Sequence, residues 1–313
     1  MNVFLTGGTG YVGQAIAENL VANGHSVTAL VRSERSVLDL EDIGATIVRG
    51  DLHDPARLAE YASGADGVVH AAYSFTPEGA DLDDAFVDAV VGALVGSGKP
   101  FVYTSGAGVY GETGQDSVSE SDPPRPEASA WPQLTAWMLR RIHTERVVVA
   151  AAEQGVRSVV VRPGLVYGRA GGPLGAHTAL IRAQGKAICV GDGENAWSMI
   201  HVDDLAEFYR LALESAPAGS VYNISTGEPV TMKSTVGALA RGQGITSPLR
   251  YVPVEEAMQA MGISAAFAAA NIRLAPSRAG SELGWTPRGL PALDDFEFGS
   301  YHAIGKPCPL HNN

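Results

Sequence analysis

The glycines of TGGTGYVG, residues 6–13, have the spacing most specific for chemistry. Gly7 permits a tight turn, Gly10 lets a backbone approach a pyrophosphate, and Gly13 lets a helix pack closely on a strand. The segment follows a β-prone run and opens a helical pattern, so free N–H groups of that helix would face the phosphates. We therefore expect a dinucleotide site. Its expected contacts in this loop are Gly7, Thr9, Gly10, Tyr11, Val12 and Gly13.

The end of the next strand-like run, SVTALV at 26–31, indicates which dinucleotide binds. An NAD enzyme has an acid there that binds the ribose 2′-hydroxyl. This sequence has Arg32 instead, with Arg35 nearby, and a guanidinium can pair bidentately with a 2′-phosphate that an acid would repel. We expect NADP(H) to be preferred over NAD(H), with Arg32 as the phosphate partner; the alternative is that Arg32 is a solvated surface residue.

A second set of spaced residues lies in TAWMLRRIHTE, residues 135–145. Trp137, Arg141 and Glu145 are four residues apart, so a helix would carry them on one face. That face either lines a site or packs in the core, since tryptophan is usually buried. The choice depends on the elements beside it.

A parallel sheet is expected to position these residues. Strand-like apolar runs alternate with helical patterns through the first half of the chain. The strand-like runs are 2–6, 26–31, 45–50, 67–72, 100–105 and 158–163, and the clearest helical patterns are 11–24, 81–98 and 132–154. Strands with little alternation, separated by helices, predict an α/β fold with a doubly wound, Rossmann-type sheet.

The pattern changes near residue 168, where glycine and proline become frequent and the elements become short. This change predicts a smaller C-terminal α+β lobe that binds substrate. We place the dinucleotide-binding domain at 1–167 and the lobe at 168–313, with some strands and helices of the second part returning to the first.

Composition limits the partners of the chain. Its 313 residues carry a formal net charge of −12, which disfavours nucleic acid or an anionic membrane surface. No apolar run reaches the roughly 18 residues of a membrane span. Cys189 and Cys308 provide neither a disulfide framework nor a paired-cysteine metal motif. We expect a cytoplasmic protein with a small-molecule substrate and no bound metal.

Taken together, these motifs resemble the extended short-chain dehydrogenase/reductases, which include sugar-nucleotide epimerases and dihydroflavonol reductases. The resemblance covers nearly the whole chain. It is carried by GDLHD at 50–54, VVHAA at 68–72, FVYTSGAGVYG at 101–111, RPGLVYG at 162–168, MIHVDDLAE at 199–207 and ELGWTP at 282–287. It implies further cofactor contacts at Asp51, Leu52, Ala71, Ala72, Thr104, Arg141, Pro163, Gly164 and Val166. It also implies a homodimer formed through the helices at 81–98 and 132–154.

The resemblance also places the family's catalytic positions on other residue types. Counting from Glu145, the Tyr of the family's Tyr-x-x-x-Lys falls on Trp137 and the Lys falls on Arg141. The family's Ser or Thr falls on Gly106, with Ser105 one residue earlier. An indole N–H donates a hydrogen bond but does not deliver a proton near neutral pH, so we expect an atypical member.

Another hydroxyl is then needed as proton donor. Tyr73 follows the VVHAA strand at the carboxyl edge, where ligands of such sheets bind, and it joins Ser105 and Arg141 as a catalytic candidate. We expect Tyr110 and Tyr167 to be structural, because buried tyrosine hydroxyls usually find a local partner. The remaining polar candidates are expected to be structural too: His70 as a satisfied strand histidine, and His201 with Asp203 and Asp204 as the start of a helix.

Three functions remain open from the sequence. The first is an atypical NADP(H)-dependent oxidoreductase acting on a small organic carbonyl or alcohol. The second is a redox-neutral epimerase, dehydratase or lyase on the same scaffold, and the third is a non-catalytic NADP(H)-binding sensor. Aromatic residues favour a small-molecule cavity; they are Tyr73, Phe75, Trp137 and Trp197.

Overall fold

A parallel sheet forms the centre of the computed structural model, which describes residues 1–32, 37–125, 132–275 and 277–303. Its strands lie in the order β3-β2-β1-β4-β5-β6-β10. They are β1 (Asn2–Thr6), β2 (Ser26–Val31), β3 (Thr46–Arg49), β4 (Gly67–His70), β5 (Pro100–Thr104), β6 (Arg157–Pro163) and β10 (Ser220–Ile224). Every pairing is parallel. The predicted Rossmann-type fold is confirmed, and β10, which comes from the second half of the chain, forms one edge of this sheet.

Helices cover both faces of this sheet. In chain order the described α-helices are α1 (Tyr11–Ala22), α2 (Val37–Asp42), α3 (Pro55–Gly64), α4 (Pro77–Leu94), α5 (Pro132–Ala150), α6 (Gly172–Gln184), α7 (Val202–Ser215), α8 (Met232–Gly242), α9 (Val254–Met261), α10 (Ile263–Ala269), α11 (Ala279–Leu283) and α12 (Ala292–Phe298). One face is covered by α1 and α7, through buried residues such as Leu20 and Leu205. The other is covered by α3, α4 and α5, through Leu58, Val90 and Val148.

The helix α4 begins earlier than the sequence pattern predicts, at Pro77 rather than at residue 81. The Thr76 hydroxyl accepts a hydrogen bond from the N–H of Gly79 at 3.0 Å, which caps the helix. Pro77 occupies the first turn, where its missing N–H costs nothing. The extra turn follows Tyr73 and Phe75 directly, so it fixes where their loop ends.

The second half of the chain contributes two small sheets. A three-stranded sheet contains β7 (Leu165–Tyr167), β9 (Ala196–His201) and β11 (Pro229–Thr231), and a two-stranded sheet contains β8 (Ile188–Val190) and β12 (Arg250–Val252). Their core continues to α5 through Met138 and Ile142. The boundary predicted between residues 167 and 168 stays a prediction.

None of the described helices is long and apolar enough to span a membrane. The polar and aromatic candidates gather where β1, β4, β5 and β6 end. Because carboxyl ends of parallel strands share one edge, the loops after these strands and one face of α5 meet there.

Candidate active site

The glycine loop after β1 is built as tightly as its spacing predicts. Gly7 has φ +76°, and the N–H of Gly10 donates to the carbonyl oxygen of Gly7 at 2.8 Å. A Cβ on Gly13 would lie 2.1 Å from that oxygen, and a Cβ on Gly7 would lie 2.5 Å from the backbone of Ala71. Only glycine fits either place.

The N-terminus of α1 has the properties of an anion site. No side chain caps it, and its first turn contains no acid. Thr9 and Gly10 are exposed beside it. The unpaired N–H groups and the helix dipole suit a pyrophosphate, so the residues present fit a dinucleotide.

Two residues of this loop, Tyr11 and Val12, make contacts inside the protein. The Tyr11 hydroxyl donates to the carbonyl oxygen of Gly168 at 2.9 Å. Burial raises the pKa of this phenol, and Val12 packs against the core beneath the sheet. The Tyr11 hydroxyl is thus bonded within the protein, and the cofactor contacts of Tyr11 and Val12 stay predictions.

Arg32 follows β2 directly and is exposed. Asp51, in the loop after β3, accepts a hydrogen bond from the N–H of His53 at 2.9 Å. That bond lowers the pKa of Asp51, and the positive charge of Arg32 adds to the effect. Leu52 is partly buried against the core. The other expected arginine, Arg35, lies outside the described residues.

The segment after β4 forms the wall opposite the glycine loop. The N–H of Ala71 donates to the carbonyl oxygen of Thr6 at 3.1 Å. A Cβ on Gly7 would also lie 2.6 Å from the nitrogen of Ala72. Ala71 and Ala72 thus lie beside the path that a cofactor bound at the glycine loop would follow along the edge of the sheet.

A buried polar network lies under this wall. The Asp83 carboxylate on α4 is 2.9 Å from His70 Nε2, 2.6 Å from the Tyr103 hydroxyl and 3.1 Å from Arg141 NH1. The carboxylate accepts, so His70 donates through Nε2, and its Nδ1 accepts from the Thr6 hydroxyl at 2.6 Å. Burial disfavours the charged carboxylate, but Arg141 and His70 together hold the pKa of Asp83 below its usual range.

Arg141 is held on both sides by this network. It is 3% exposed. Its guanidinium donates to Asp83 and to the carbonyl oxygen of Thr104. The guanidinium carbon lies 4.0 Å from the centroid of the Tyr73 ring, a close cation–π contact.

The three residues spaced along α5 have different environments. Glu145 is buried and accepts a bidentate pair from Arg162, at 3.0 and 2.6 Å. The same arginine donates to the Tyr110 hydroxyl at 2.7 Å. Glu145 is therefore part of the core, whereas Arg141 and Trp137 face the site.

Trp137 belongs to an aromatic cluster that borders the site. Its ring lies 6.2 Å from Tyr73, 5.3 Å from Phe75 and 5.5 Å from Phe267, measured between centroids. Trp197 joins at the far side, 6.4 Å from Phe267. The four aromatic residues expected from the sequence are thus linked, with Phe267 of α10 connecting them.

Four polar atoms of this region are buried without a hydrogen-bond partner in the described part of the chain: the Tyr73 and Ser105 hydroxyls, Trp137 Nε1 and Arg141 Nε. The indole of Trp137 faces the Tyr73 hydroxyl closely enough to affect its pKa, without an ordinary hydrogen bond. Burial has the larger effect and raises the pKa of Tyr73, although the charge of Arg141 opposes it.

The other strand-edge residues have contacts inside the protein. The Thr104 hydroxyl is 2.6 Å from the Tyr209 hydroxyl. Pro163 ends β6, and a Cβ on Gly164 would lie 2.2 Å from the carbonyl oxygen of Ser198, so close packing already requires this glycine. Val166 is a half-buried residue of β7. The structure supplies packing reasons for these residues, and their cofactor contacts stay predictions.

The residues expected to be structural do have protein partners. The Tyr110 hydroxyl donates to Asn223 at 3.0 Å, and the Tyr167 hydroxyl donates to the carbonyl oxygen of Leu290 at 2.6 Å. The start of α7 is capped by the imidazole of His201, whose Nδ1 accepts from the N–H of Asp203, and not by one of the two acids that follow. An imidazole acceptor satisfies the same free N–H group.

Sequence reasoning missed Asp83, Tyr103 and Phe267. Asp83 stands in DLDD, which looks like a run of solvated acids near a helix start. Its spacing does mark it: Asp83 lies between Ala80 and Phe86 on a buried stripe of α4. No local pattern marks Phe267, because its aromatic partners Phe75, Trp137 and Trp197 all lie at least 70 residues earlier.

A separate cavity of about 440 Å³ contains no residue of the glycine loop in its walls. Its walls include Gln115, Asp192, Asn195, Val254 and Asn271. No cluster of three or more His, Cys, Asp or Glu side chains in the described ranges could hold a metal ion. The unpartnered donors lie at the strand edge instead, so we take that edge as the candidate active site.

Comparison with known proteins agrees with this architecture. Residues 3–225 match the model of the NAD dependent epimerase/dehydratase family. An uncharacterized protein of Saccharomyces cerevisiae is 30% identical over 312 residues, covering 95% of this chain and 98% of its own length.

A 4-hydroxy-2-methyl-3-oxo-4-farnesyl-3,4-dihydroquinoline-1-oxide ketoreductase of Stigmatella aurantiaca is also 30% identical, over 83% of this chain and 78% of its own length. The UDP-glucose 4-epimerase of Thermotoga maritima superposes with a TM-score of 0.79 at 22% identity, covering 96% of this chain and 97% of that one. The structural likeness shows the fold, and the family match covers most of the chain. The chain belongs to the NAD dependent epimerase/dehydratase family.

Proposed function

We propose that the protein is an NADP(H)-dependent oxidoreductase that acts on a small organic carbonyl or alcohol. One observation carries the proposal: the glycine loop and the unpartnered donors of Tyr73, Ser105 and Arg141 share one edge of the sheet. The relative from Stigmatella aurantiaca, named a ketoreductase, supports this reaction class. A bound nicotinamide would supply or accept the hydride.

The preference for the phosphorylated cofactor rests on Arg32. The family description names NAD. An NAD enzyme has an acid at the end of the second strand that binds the ribose 2′-hydroxyl, but this chain has Val31 and Arg32 there. An exposed guanidinium beyond β2 suits a 2′-phosphate. The N-terminus of α1 would hold the pyrophosphate, and Ala71 and Ala72 would border the ribose and nicotinamide.

The proton is assigned to Tyr73. Trp137 and Arg141 stand where the extended short-chain dehydrogenase/reductases, which the sequence resembles, carry Tyr and Lys. Gly106 stands at their Ser position. Burial raises the pKa of Tyr73, so its hydroxyl is protonated at neutral pH and can donate to an oxygen. Arg141 would orient the Tyr73 ring through their stacked contact.

A redox-neutral epimerase or dehydratase is the second candidate, because the matched family model includes that chemistry in its description. Incubating the purified protein with NADPH or NADH and a panel of ketones and aldehydes distinguishes the oxidoreductase from the redox-neutral enzyme. We expect carbonyl-dependent oxidation of NADPH that is faster than that of NADH. Conversion of substrate without net cofactor oxidation would favour the redox-neutral enzyme, and cofactor binding without any conversion would favour a sensor.

We also propose a homodimer that forms through α4 and α5. Leu139 on α5 and Val95 after α4 are apolar side chains that are 55% and 52% exposed, and a contact between copies would cover them. Asp88 on α4 and Arg146 on α5 are exposed and opposite in charge, so they can pair between copies. Sedimentation velocity should give twice the chain mass, and a Leu139→Glu change should give the monomer. A wild-type monomer at micromolar concentration would refute the dimer.

A cytoplasmic location is part of the same proposal. Cys189 is a buried free thiol, and burial raises its pKa to about 11. A reduced cysteine fits a reducing compartment. A supply of dinucleotide cofactor fits the same compartment. Imaging the tagged chain in cells of its source should show cytoplasmic signal, and secretion would contradict it.

A further inference from the structure

Unpartnered buried polar atoms are concentrated at one place in the molecule. The described residues contain nine such side-chain atoms, and four of them belong to Tyr73, Ser105, Trp137 and Arg141. Leaving a buried donor unsatisfied costs about 1–3 kcal/mol. Four in one region indicate a partner that the protein itself does not provide.

The side chains of Tyr73, Trp137 and Arg141 contact one another, and Ser105 follows the residue that Arg141 binds. The guanidinium carbon of Arg141 is 4.0 Å from the Tyr73 ring centroid and 6.0 Å from that of Trp137. Ser105 follows the last residue of β5, and its N–H donates to the carbonyl oxygen of Val161 at 2.8 Å, which continues the pairing with β6. Alternation along this backbone places Ser105 on the face of Tyr103, which contacts Asp83 and Arg141, and away from the face where Thr104 meets Tyr209. Arg141 also binds the carbonyl oxygen of Thr104, the residue before Ser105.

The chemistry of the atoms defines the missing partner. The N–H groups of Trp137 and Arg141 only donate, and the hydroxyls of Tyr73 and Ser105 can donate as well. The missing group is therefore an acceptor oxygen. Asp83 already neutralises Arg141, with 3.1 Å between them. An anionic ligand would leave a net buried charge, so an uncharged carbonyl fits better than a carboxylate or phosphate.

The surroundings define the rest of the ligand. Phe75, Trp137 and Phe267 form an aromatic wall with centroid separations of 5.3 to 6.1 Å. A side chain on Gly106 would meet no atom within 4 Å, so space is open beside Ser105. Phe75 is 60% exposed and packs on Trp137, so the aromatic wall reaches from the donors to the protein surface.

We propose that Tyr73, Ser105, Trp137 and Arg141 form an oxygen pocket, which binds the carbonyl oxygen of an uncharged ligand whose aromatic or apolar body lies on the Phe75–Trp137–Phe267 wall. In a carbonyl reduction the donors of this pocket that reach the oxygen would stabilise the negative charge that develops on it. The identification of the ligand as substrate rests on the proposed function, whereas the binding does not.

The test compares two probes of the same shape. Acetophenone carries the acceptor oxygen, and α-methylstyrene has a methylene group in its place. Titration calorimetry of the full chain, with and without NADP⁺, should give acetophenone about tenfold tighter binding, as expected for hydrogen bonds to a charged group. Equal affinities for the two probes would overturn the oxygen pocket, because water or shape alone would then explain the site.

Variants identify the donors. Trp137→Phe and Ser105→Ala remove one donor each with little loss of volume, and each should lower acetophenone affinity several-fold while α-methylstyrene binding stays within twofold. Trp285→Phe is the matched control, because its indole already donates to the carbonyl oxygen of Asp204; it should leave both affinities unchanged. Retention of the full acetophenone preference in both Trp137→Phe and Ser105→Ala would refute the assignment.

The two proposals fail separately. Selective binding of acetophenone without NADPH oxidation on any carbonyl would sustain the oxygen pocket and refute the oxidoreductase. NADPH oxidation with equal binding of the two probes would do the reverse.

Discussion

At the scale of single residues, the site depends on how Arg141 and Tyr73 constrain each other. Arg141 lacks freedom because Asp83 and the carbonyl oxygen of Thr104 hold its guanidinium. The Tyr73 ring stacks on it, which fixes the direction of the phenol. A rigid hydroxyl at the strand edge is what a general acid requires.

Tyr73→Phe is the most direct residue-scale change. It removes the hydroxyl and keeps the ring that stacks on Arg141. We expect turnover to fall by about 10²–10⁴-fold, the usual contribution of a positioned general acid, while NADPH affinity is unchanged. Steady-state kinetics and calorimetry measure the two effects. Turnover within threefold of wild type would show that another group supplies the proton.

Arg32→Ala tests the cofactor preference. Loss of one charged hydrogen-bonded contact should cost about 1.5–3 kcal/mol of NADPH binding and leave NADH binding nearly unchanged. Arg250→Ala is a matched control, since that arginine is exposed on β12 in the C-terminal lobe. Equal losses for NADPH and NADH in Arg32→Ala would remove the basis of the preference.

At the scale of elements, the Asp83 network connects β1, β4, β5, α4 and α5. Thr6, His70 and Tyr103 come from the three strands, and Asp83 and Arg141 come from the two helices. The network therefore fixes α5, and with it Trp137, relative to the strand edge. The site geometry depends on this packing and not on α5 alone.

Asp83→Asn tests that dependence through acid stability. At pH 7 the change leaves Arg141 uncompensated, and breaking a buried pair typically costs about 3–5 kcal/mol. The folded pKa of Asp83 lies below the ordinary value of 3.8. Its contribution is therefore present above that value and is lost as the pH falls through the lower folded pKa.

Urea titrations at pH 7 measure the loss of stability in the variant. Titrations at a series of pH values, from 5 down to the lowest at which the protein is still folded, measure how the stability depends on pH. The wild-type free energy of unfolding should fall more steeply below about pH 4 than that of the Asn variant, because only the wild type must protonate this carboxylate. Parallel pH profiles would show that Asp83 contributes nothing to acid stability.

How much the sequence predicts also differs between elements. The first six strands were predictable because buried parallel strands are continuous apolar runs. The glycine loop was predictable because only glycine fits at positions 7 and 13. The early start of α4 was missed although Thr76 and Pro77 are a recognisable cap. The role of Glu145 was not predictable, since its partner Arg162 comes from β6 and pairing between elements leaves no local pattern.

At the scale of the whole molecule, the chain joins a Rossmann-type sheet to a lobe that contributes Phe267 and Trp197 to the aromatic cluster. The fold follows from the alternation of strand and helix patterns along the chain, and this alternation is visible in the sequence. The wall of the site depends on α10 meeting α5 after the chain has folded, which the sequence does not display. Fold class was therefore predictable, and the complete site was not.

The central claim is that a hydride passes between NADP(H) and a small carbonyl at this edge of the sheet. The most direct measurement uses NADPH deuterated at both C4 positions with an aromatic ketone, and analyses the product by mass spectrometry. We predict an alcohol that carries one deuterium on its carbinol carbon, formed in equal amount to the NADP⁺ released. Substrate converted without deuterium and without net NADP⁺ formation would contradict the account, and so would the absence of any product across the ketones that bind.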